Sequence, residues 1–279
     1  MSNRYVEYKY KNKKKLILSV TSGRCGTAWL ANIFSAHRNA RGSSERYMNV
    51  EAIWRFMHYH KLPIDCAGVI EILKMGIVSD WEEHEISMIN SPFLSHECRF
   101  LFNSLLVDKL IWGITDIRFT VQSFLQKGWY DNDFFMNDVN KISCVQPAYR
   151  NGIAYSFSRL VPCGEEYDIW KKLTRVGKIS WFVSMINEEI YSNIKNLDKK
   201  KLYIFKLEVA DQNYEWYKDF ANKFGFSNIL SKEAFLSLKW KVMKRNDEVK
   251  NNQWSDKEEQ EFLIYAKKAV DIYQTVKSW

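Results

Sequence analysis

Short apolar runs bounded by turn residues divide the chain. Three of them have the continuity of parallel strands buried on both faces. They are Leu16 to Val20, Leu110 to Ile114 and Leu202 to Leu207. Helical spacing follows each one. Trp29, Leu30, Ile33 and Phe34 share one helix face, Phe119 to Leu125 runs to a stop at Gly128, and Trp216, Phe220 and Phe224 lead to a left-handed cap at Gly225. Near the end, Ser255 and Glu258 have capping-box spacing, and Phe262, Tyr265, Ala269, Ile272 and Val276 continue the apolar stripe as one helix. Strands alternating with helices predict an α/β fold of three layers, a central parallel sheet with helices on both faces. No repeat, linker or boundary divides residues 1–279, which read as one domain. The turn-rich stretch from Asp131 to Gly177 reads as a lid or an acceptor-binding insertion.

Composition changes this picture little. Of 279 residues, 46% are hydrophobic and 15% aromatic with only four prolines, which is a globular balance. The net charge of +8 first suggests a polyanion. Much of the excess lies in the runs Lys13 to Lys15 and Lys199 to Lys201, which read as solvated faces, so nucleic acid is not the expected partner. An anionic nucleotide would draw on the same charge. The five cysteines, Cys25, Cys66, Cys98, Cys144 and Cys163, show no paired spacing and read as reduced thiols. No signal-peptide pattern and no run near the ~20 apolar residues of a membrane span is visible, so a cytoplasmic protein without a membrane partner is expected.

The most informative segment joins the first strand to the first helix: Thr21-Ser22-Gly23-Arg24-Cys25-Gly26-Thr27-Ala28-Trp29. Two glycines permit a tight turn that aims successive N–H groups at an anion, Arg24 adds a cation and Thr27 a hydroxyl. Gly26 is followed by Thr27 where a Walker A loop has lysine, which weakens a metal–nucleotide reading. A sulfuryl group carries less charge than a terminal phosphoryl group, so fixed cations can stabilise its transfer without magnesium.

Ser22 to Trp29 resembles the 5′-phosphosulfate loop of the sulfotransferases that use 3′-phosphoadenosine 5′-phosphosulfate, commonly S-G-R-S-G-T-T-W. The resemblance implies a P-loop NTPase-like fold. It also implies donor contacts from Ser22, Gly23, Arg24, Cys25, Gly26, Thr27 and Ala28, with Arg24 stabilising the leaving oxygen. Trp29 would either stack near the adenine or belong to the core. Ala28 stands where a second threonine is common. Thr115-Asp116-Ile117-Arg118 followed by Ser123 resembles the family's second nucleotide element, a strand ending in R-D-P-R and a serine on the next helix. Ser123 would hold the 3′-phosphate. Thr115 replaces the first arginine and Ile117 the proline, leaving Arg118 to compensate. Lys206-Leu207-Glu208 echoes a family strand ending in glutamate. Lys241 to Arg245, with Trp254 beyond, echoes the basic loop over the 3′-phosphate and makes Lys244 and Arg245 candidate donor ligands.

Transfer to a hydroxyl needs a base. Glu45, in Arg41-Gly42-Ser43-Ser44-Glu45-Arg46-Tyr47, matches a segment that carries the catalytic glutamate in bacterial relatives. The rival is His96, near where the animal and plant enzymes keep a histidine; Asn90 stands where many bacterial relatives have lysine. His37, His58, His60 and His84 show no ligand spacing, so no metal is expected. Trp54, Phe56, Met57, Tyr59 and the aromatics from Trp129 to Phe135 either line an acceptor pocket or form core. The expected reaction is sulfuryl transfer to a hydroxyl or amine of a small metabolite or natural product. Two alternatives stay open: a nucleotide-dependent kinase or hydrolase that uses Asp116 as a Walker B carboxylate, and a non-catalytic relative that binds the nucleotide.

Overall fold

The computed structural model describes residues 2–63, 65–131, 157–240 and 253–277. Five strands form one sheet: β1 (Lys15–Thr21), β2 (Ala40–Ser44), β3 (Ile86–Asn90), β4 (Lys109–Ile114) and β5 (Leu202–Lys206). Their order is β2-β3-β1-β4-β5, and every pair is parallel. The chain leaves β1 toward one edge and later crosses to the other, so the loop after β1 lies where the strand order reverses. Ligands of open α/β sheets bind at such points.

The first helices in chain order are α1 (Ser2–Lys11), α2 (Thr27–Ser35), α3 (Met48–Tyr59), α4 (Ala67–Glu83), α5 (Cys98–Ser104) and α6 (Ile117–Gln126). After them come α7 (Glu165–Lys171), α8 (Arg175–Ile194), α9 (Leu207–Ala210), α10 (Tyr214–Phe224), α11 (Lys232–Trp240), α12 (Asp256–Tyr265) and α13 (Lys267–Lys277). Alternate strand residues feed two cores. Ile17, Met88, Ile111 and Phe205 pack with α2, α10 and α11, whereas Leu16, Leu18, Val20, Leu110 and Trp112 pack with α3, α4, α6 and α8. The three-layer α/β arrangement around a parallel sheet is the one that the sequence predicts.

The three predicted strands appear as β1, β4 and β5. Two more, β2 and β3, complete the sheet. Strand β2 reads Ala-Arg-Gly-Ser-Ser and is apolar only at Ala40. It forms because it pairs along β3 at the sheet edge and because Gly42 lets α2 approach: a Cβ there would stand 2.2 Å from the Ala31 carbonyl oxygen. Gly225 caps α10 at φ 75 as expected.

Two expectations are corrected. The capping box at Ser255 and Glu258 is present, but the last helix is two helices divided at Ala266. The buried stripe shifts there to Ala266, Ala269, Tyr273 and Val276, and both pieces pack along α8. Of the stretch read as a turn-rich insertion, residues 132–156 lie outside the described residues, whereas α7 and the start of α8, including Gly177, are helical.

Candidate active site

The loop after β1 turns on three residues with left-handed backbone: Gly23 at φ 102, Arg24 at φ 62 and Gly26 at φ 77. An arginine in that region costs on the order of 1 kcal/mol. The surroundings hold it there. The Gly23 N–H donates to Thr21 Oγ1 at 3.1 Å, Ser95 Oγ donates to the Thr21 carbonyl at 2.8 Å, and Asn90 Nδ2 donates to the Thr27 carbonyl at 2.6 Å. Asn90 therefore ties the end of β3 to the first residue of α2. Gly26 precedes that helix without a side-chain cap, so no capping side chain takes its first N–H groups, and Thr27 lines the cleft. A Cβ on Gly26 would lie 2.8 Å from Leu207 Cδ1.

A cleft of about 280 Å³ opens over this loop, floored by Ser22, Gly23, Arg24 and Thr27. Glu45, Met48 and Arg55 line it with Pro92 and Phe93, as do Phe124, Lys127, Trp129, Ser158 and Arg159. Arg24 is fixed before any ligand arrives, because its Nε donates to Ser123 Oγ at 2.8 Å. Ser123 is itself buried on the inward face of α6, one turn before Lys127. Burial lowers the Arg24 guanidinium from its usual range, and Glu45 opposes the shift.

Glu45 follows β2 at φ 52, another left-handed position that a glutamate seldom takes. Its N–H donates to the Asn90 carbonyl at 2.9 Å, so the sheet edge sets its place. Burial raises its carboxyl above the usual range, while Arg55 and Arg24 pull it down. The cleft thus joins a desolvated carboxylate to the loop's arginine. That arrangement can take a proton from one ligand while a cation steadies charge on another.

Behind it, Glu51 of α3 is fully buried. Its Oε1 accepts from the Tyr47 N–H at 3.1 Å, and Oε2 has no partner within reach. Burial, with Glu45 adding to it, pushes this carboxyl up to about 7. The unfolded chain would ionise it near 4.5, so the fold binds the extra proton between those values, and stability falls as pH rises through that window. Glu51→Gln keeps an acceptor for Tyr47. It is expected to stabilise the protein by up to about 3 kcal/mol at pH 8 and to do little at pH 5. Urea unfolding at both pH values checks this; an unchanged pH slope in the variant would contradict it.

The other predicted residues fall elsewhere. Trp29 is core: it is 1% exposed and packs among Phe205, Trp216 and Phe235 at ring distances of 5.8 to 6.2 Å, because its face of α2 turns into the sheet. Cys25 lies under the loop with its thiol donating to the Gly23 carbonyl, and burial pushes it up to about 11. Ala28 is exposed on the first turn of α2 and does not line the cleft. His96 also lies outside the lining; it is 4% exposed, and burial with the neighbouring Arg55 pushes it down to about 3. Thr115 Oγ1 donates to Glu208 Oε2 at 2.8 Å, and Tyr273 binds the other oxygen of Glu208. Arg118 forms a two-pronged pair with Glu259 and stacks on Trp254, 4.0 Å from the ring centre. Neither Thr115 nor Arg118 lines the cleft. Lys244 and Arg245 lie outside the described residues. Asp116 caps α6, its side chain accepting from the Phe119 N–H at 2.9 Å. Among the described residues no group of three or more metal-ligating side chains gathers, and no helix is long and apolar enough to cross a membrane.

Sequence reading missed Arg55, Lys127 and Arg159. Arg55 had a signal: it stands between Trp54 and Phe56, and Glu51 lies four residues earlier on the same helix face. Of the aromatics considered for the acceptor, Trp129 lines the cleft, whereas Trp54 is buried in the core beside it.

Fold and site together define an α/β protein with a glycine-rich loop carrying one arginine at the centre of its parallel sheet. Among solved structures the chain is similar to the sulfotransferase domain from the Curacin biosynthetic pathway, with a TM-score of 0.49 and 10% identity over 95% of this chain and 98% of that one. It is also similar to the sulfotransferase domain of the Synechococcus PCC 7002 olefin synthase, with a TM-score of 0.46 and 10% identity over 92% of this chain and 95% of that one. No protein-family model and no curated sequence matches.

Proposed function

We propose that this protein is a sulfotransferase that moves the sulfuryl group of 3′-phosphoadenosine 5′-phosphosulfate to a hydroxyl or amine of a small molecule. The observation that carries the reading is Arg24, held in a left-handed turn between two glycines, pinned by Ser123, and facing the cleft that contains Glu45. The loop residues fit the anionic 5′ end of the donor: backbone N–H groups, an uncapped helix start and one fixed guanidinium converge there. Ser123 meets Arg24, and Thr115 and Arg118 are bound to glutamates. Lys244 and Arg245, candidate donor ligands by their resemblance to the family's basic loop, are the residues proposed for the 3′-phosphate.

In this reading the acceptor oxygen attacks sulfur as the bond from sulfur to the 5′-phosphate oxygen breaks. Glu45 takes the acceptor's proton, and Arg24 steadies the charge that develops on the departing phosphate. Desolvation strengthens Glu45 as a base, and Arg55 and Arg24 oppose that upward shift.

The product nucleotide 3′-phosphoadenosine 5′-phosphate tests donor binding directly. At about a hundred times its dissociation constant it should stabilise the fold by ~2.7 kcal/mol, a rise in melting temperature of roughly 5–10 °C. No shift at saturation would contradict the proposal. Incubation with the donor and pooled hydroxylated metabolites, read by mass spectrometry, then identifies the acceptor. Transfer should survive excess chelator, since Asp116 serves as a helix cap; strict magnesium dependence would point to a kinase or hydrolase instead.

A further inference from the structure

The cleft holds more positive charge than the loop's own task accounts for. Arg24, Arg55, Lys127 and Arg159 line it, and Glu45 is the single carboxylate among the described lining residues. A phosphosulfate seated on the loop engages Arg24. The other three cations also line the cleft. Arg55 extends from α3, 1% exposed, with its guanidinium over Phe93 at 4.7 Å and Phe182 at 5.3 Å. One of its terminal nitrogens donates to the Pro92 carbonyl at 3.3 Å and the other to the Ser158 carbonyl. Arg159 is the next residue after Ser158, whose carbonyl Arg55 binds, and both arginines line the cleft.

Arg55 is not satisfied by these contacts. Its Nε has no acceptor although it is fully shielded from solvent. A buried, unpaired guanidinium N–H is costly, on the order of 1–3 kcal/mol or more for a charged group, and such a group normally has a partner. Burial pulls this guanidinium down to about 9 even though Tyr130 and Glu45 oppose the shift. The protein maintains a dehydrated cation in the cleft that Arg159 and Glu45 also line.

We infer that the acceptor is itself an acid, a hydroxylated small molecule whose carboxylate is held by Arg55 and Arg159 while Phe93, Phe124 and Trp129 enclose its apolar part. This builds on the sulfuryl-transfer reading and names the substrate class of the same cleft. A planar guanidinium suits a carboxylate, which it meets with two parallel hydrogen bonds, and the aromatic walls reduce the screening of that pair. The anion also gives orientation: with its acid end fixed on one wall, a single hydroxyl is presented to the sulfur.

The test uses the full chain saturated with 3′-phosphoadenosine 5′-phosphate, titrated calorimetrically with 4-hydroxyphenylacetate and, separately, with 4-hydroxyphenylacetamide, which has the same shape without the charge. The acid is expected to bind at least about tenfold more tightly. Arg159→Gln, at a partly exposed position, should reduce that preference to less than about threefold, and Arg55→Lys should weaken it without reversing it. Equal binding of acid and amide, tighter binding of the amide, or binding of neither would overturn the inference. Failure of the nucleotide itself to bind would instead strike at the donor reading, so the two failures are distinguishable.

Discussion

Replacing Glu45 with glutamine is expected to lower kcat by about 10²–10⁴-fold while 3′-phosphoadenosine 5′-phosphate binds as before. Glutamine has nearly the same shape and can keep the same left-handed backbone, but it cannot accept the acceptor's proton. The effect should be confined to turnover because Glu45 belongs to the wall of the cleft, not to the loop. The strained backbone supports the same view. A glutamate at φ 52 is held there against its own preference, and strain of this kind gathers at working sites. Single-turnover rates with the sulfate donor and equilibrium binding of the product nucleotide separate the two effects. Near-normal turnover would remove Glu45 from the reaction, and lost nucleotide binding would make its role one of loop support.

Arg24→Met should cost about 10²–10³-fold in the transfer step, the size seen when one preorganised charge-stabilising donor is removed from an active site. It should also weaken the product nucleotide, because the loop loses its one guanidinium. Arg24→Lys is not expected to restore either property. Ser123 holds Arg24 through Nε, which leaves the two terminal nitrogens for a ligand; a lysine offers one ammonium group that cannot be held and presented together. Recovery of more than about half the wild-type rate by the lysine variant would show that charge alone suffices and that the Ser123 contact is incidental.

The sequence disclosed the parts of the fold that are written in apolar residues. Strands β1, β4 and β5 carry continuous hydrophobic runs and were found. Strand β2 escaped because four of its five positions are polar or glycine, and its existence depends on edge pairing with β3 and close approach to α2. Strand β3, Ile-Ser-Met-Ile-Asn, is buried at all five positions, two of them polar, so its apolar run was interrupted. The hydroxyl of Ser87 donates to Asp80, which itself holds Arg46. Such a buried polar set has no one-dimensional signature.

The loop was readable for a similar reason. Two glycines, a cation and a hydroxyl at a strand-to-helix junction are a local pattern with a local cause; Glu45 was singled out by the resemblance of its short segment, and it lines the same cleft. The walls were not readable. Arg55, Lys127 and Arg159 come from three separate parts of the chain, and only folding brings them to one cleft. Trp29 shows the reverse case: its place in the motif suggested a ligand, but the phase of α2 turns it into an aromatic core.

The bond between Arg24 and Ser123 spans the ends of two adjacent strands, since the arginine follows β1 and the serine lies on the helix that follows β4. Those strands are matched with Thr21 opposite Gly113. Sliding one along the other by a single position would carry the serine about 3.3 Å away, farther than the whole length of the contact, and would turn the strand's outward side chains inward. Correct alignment at the middle of the sheet is thus also what aims the arginine, so a misaligned molecule would be compact and yet inert.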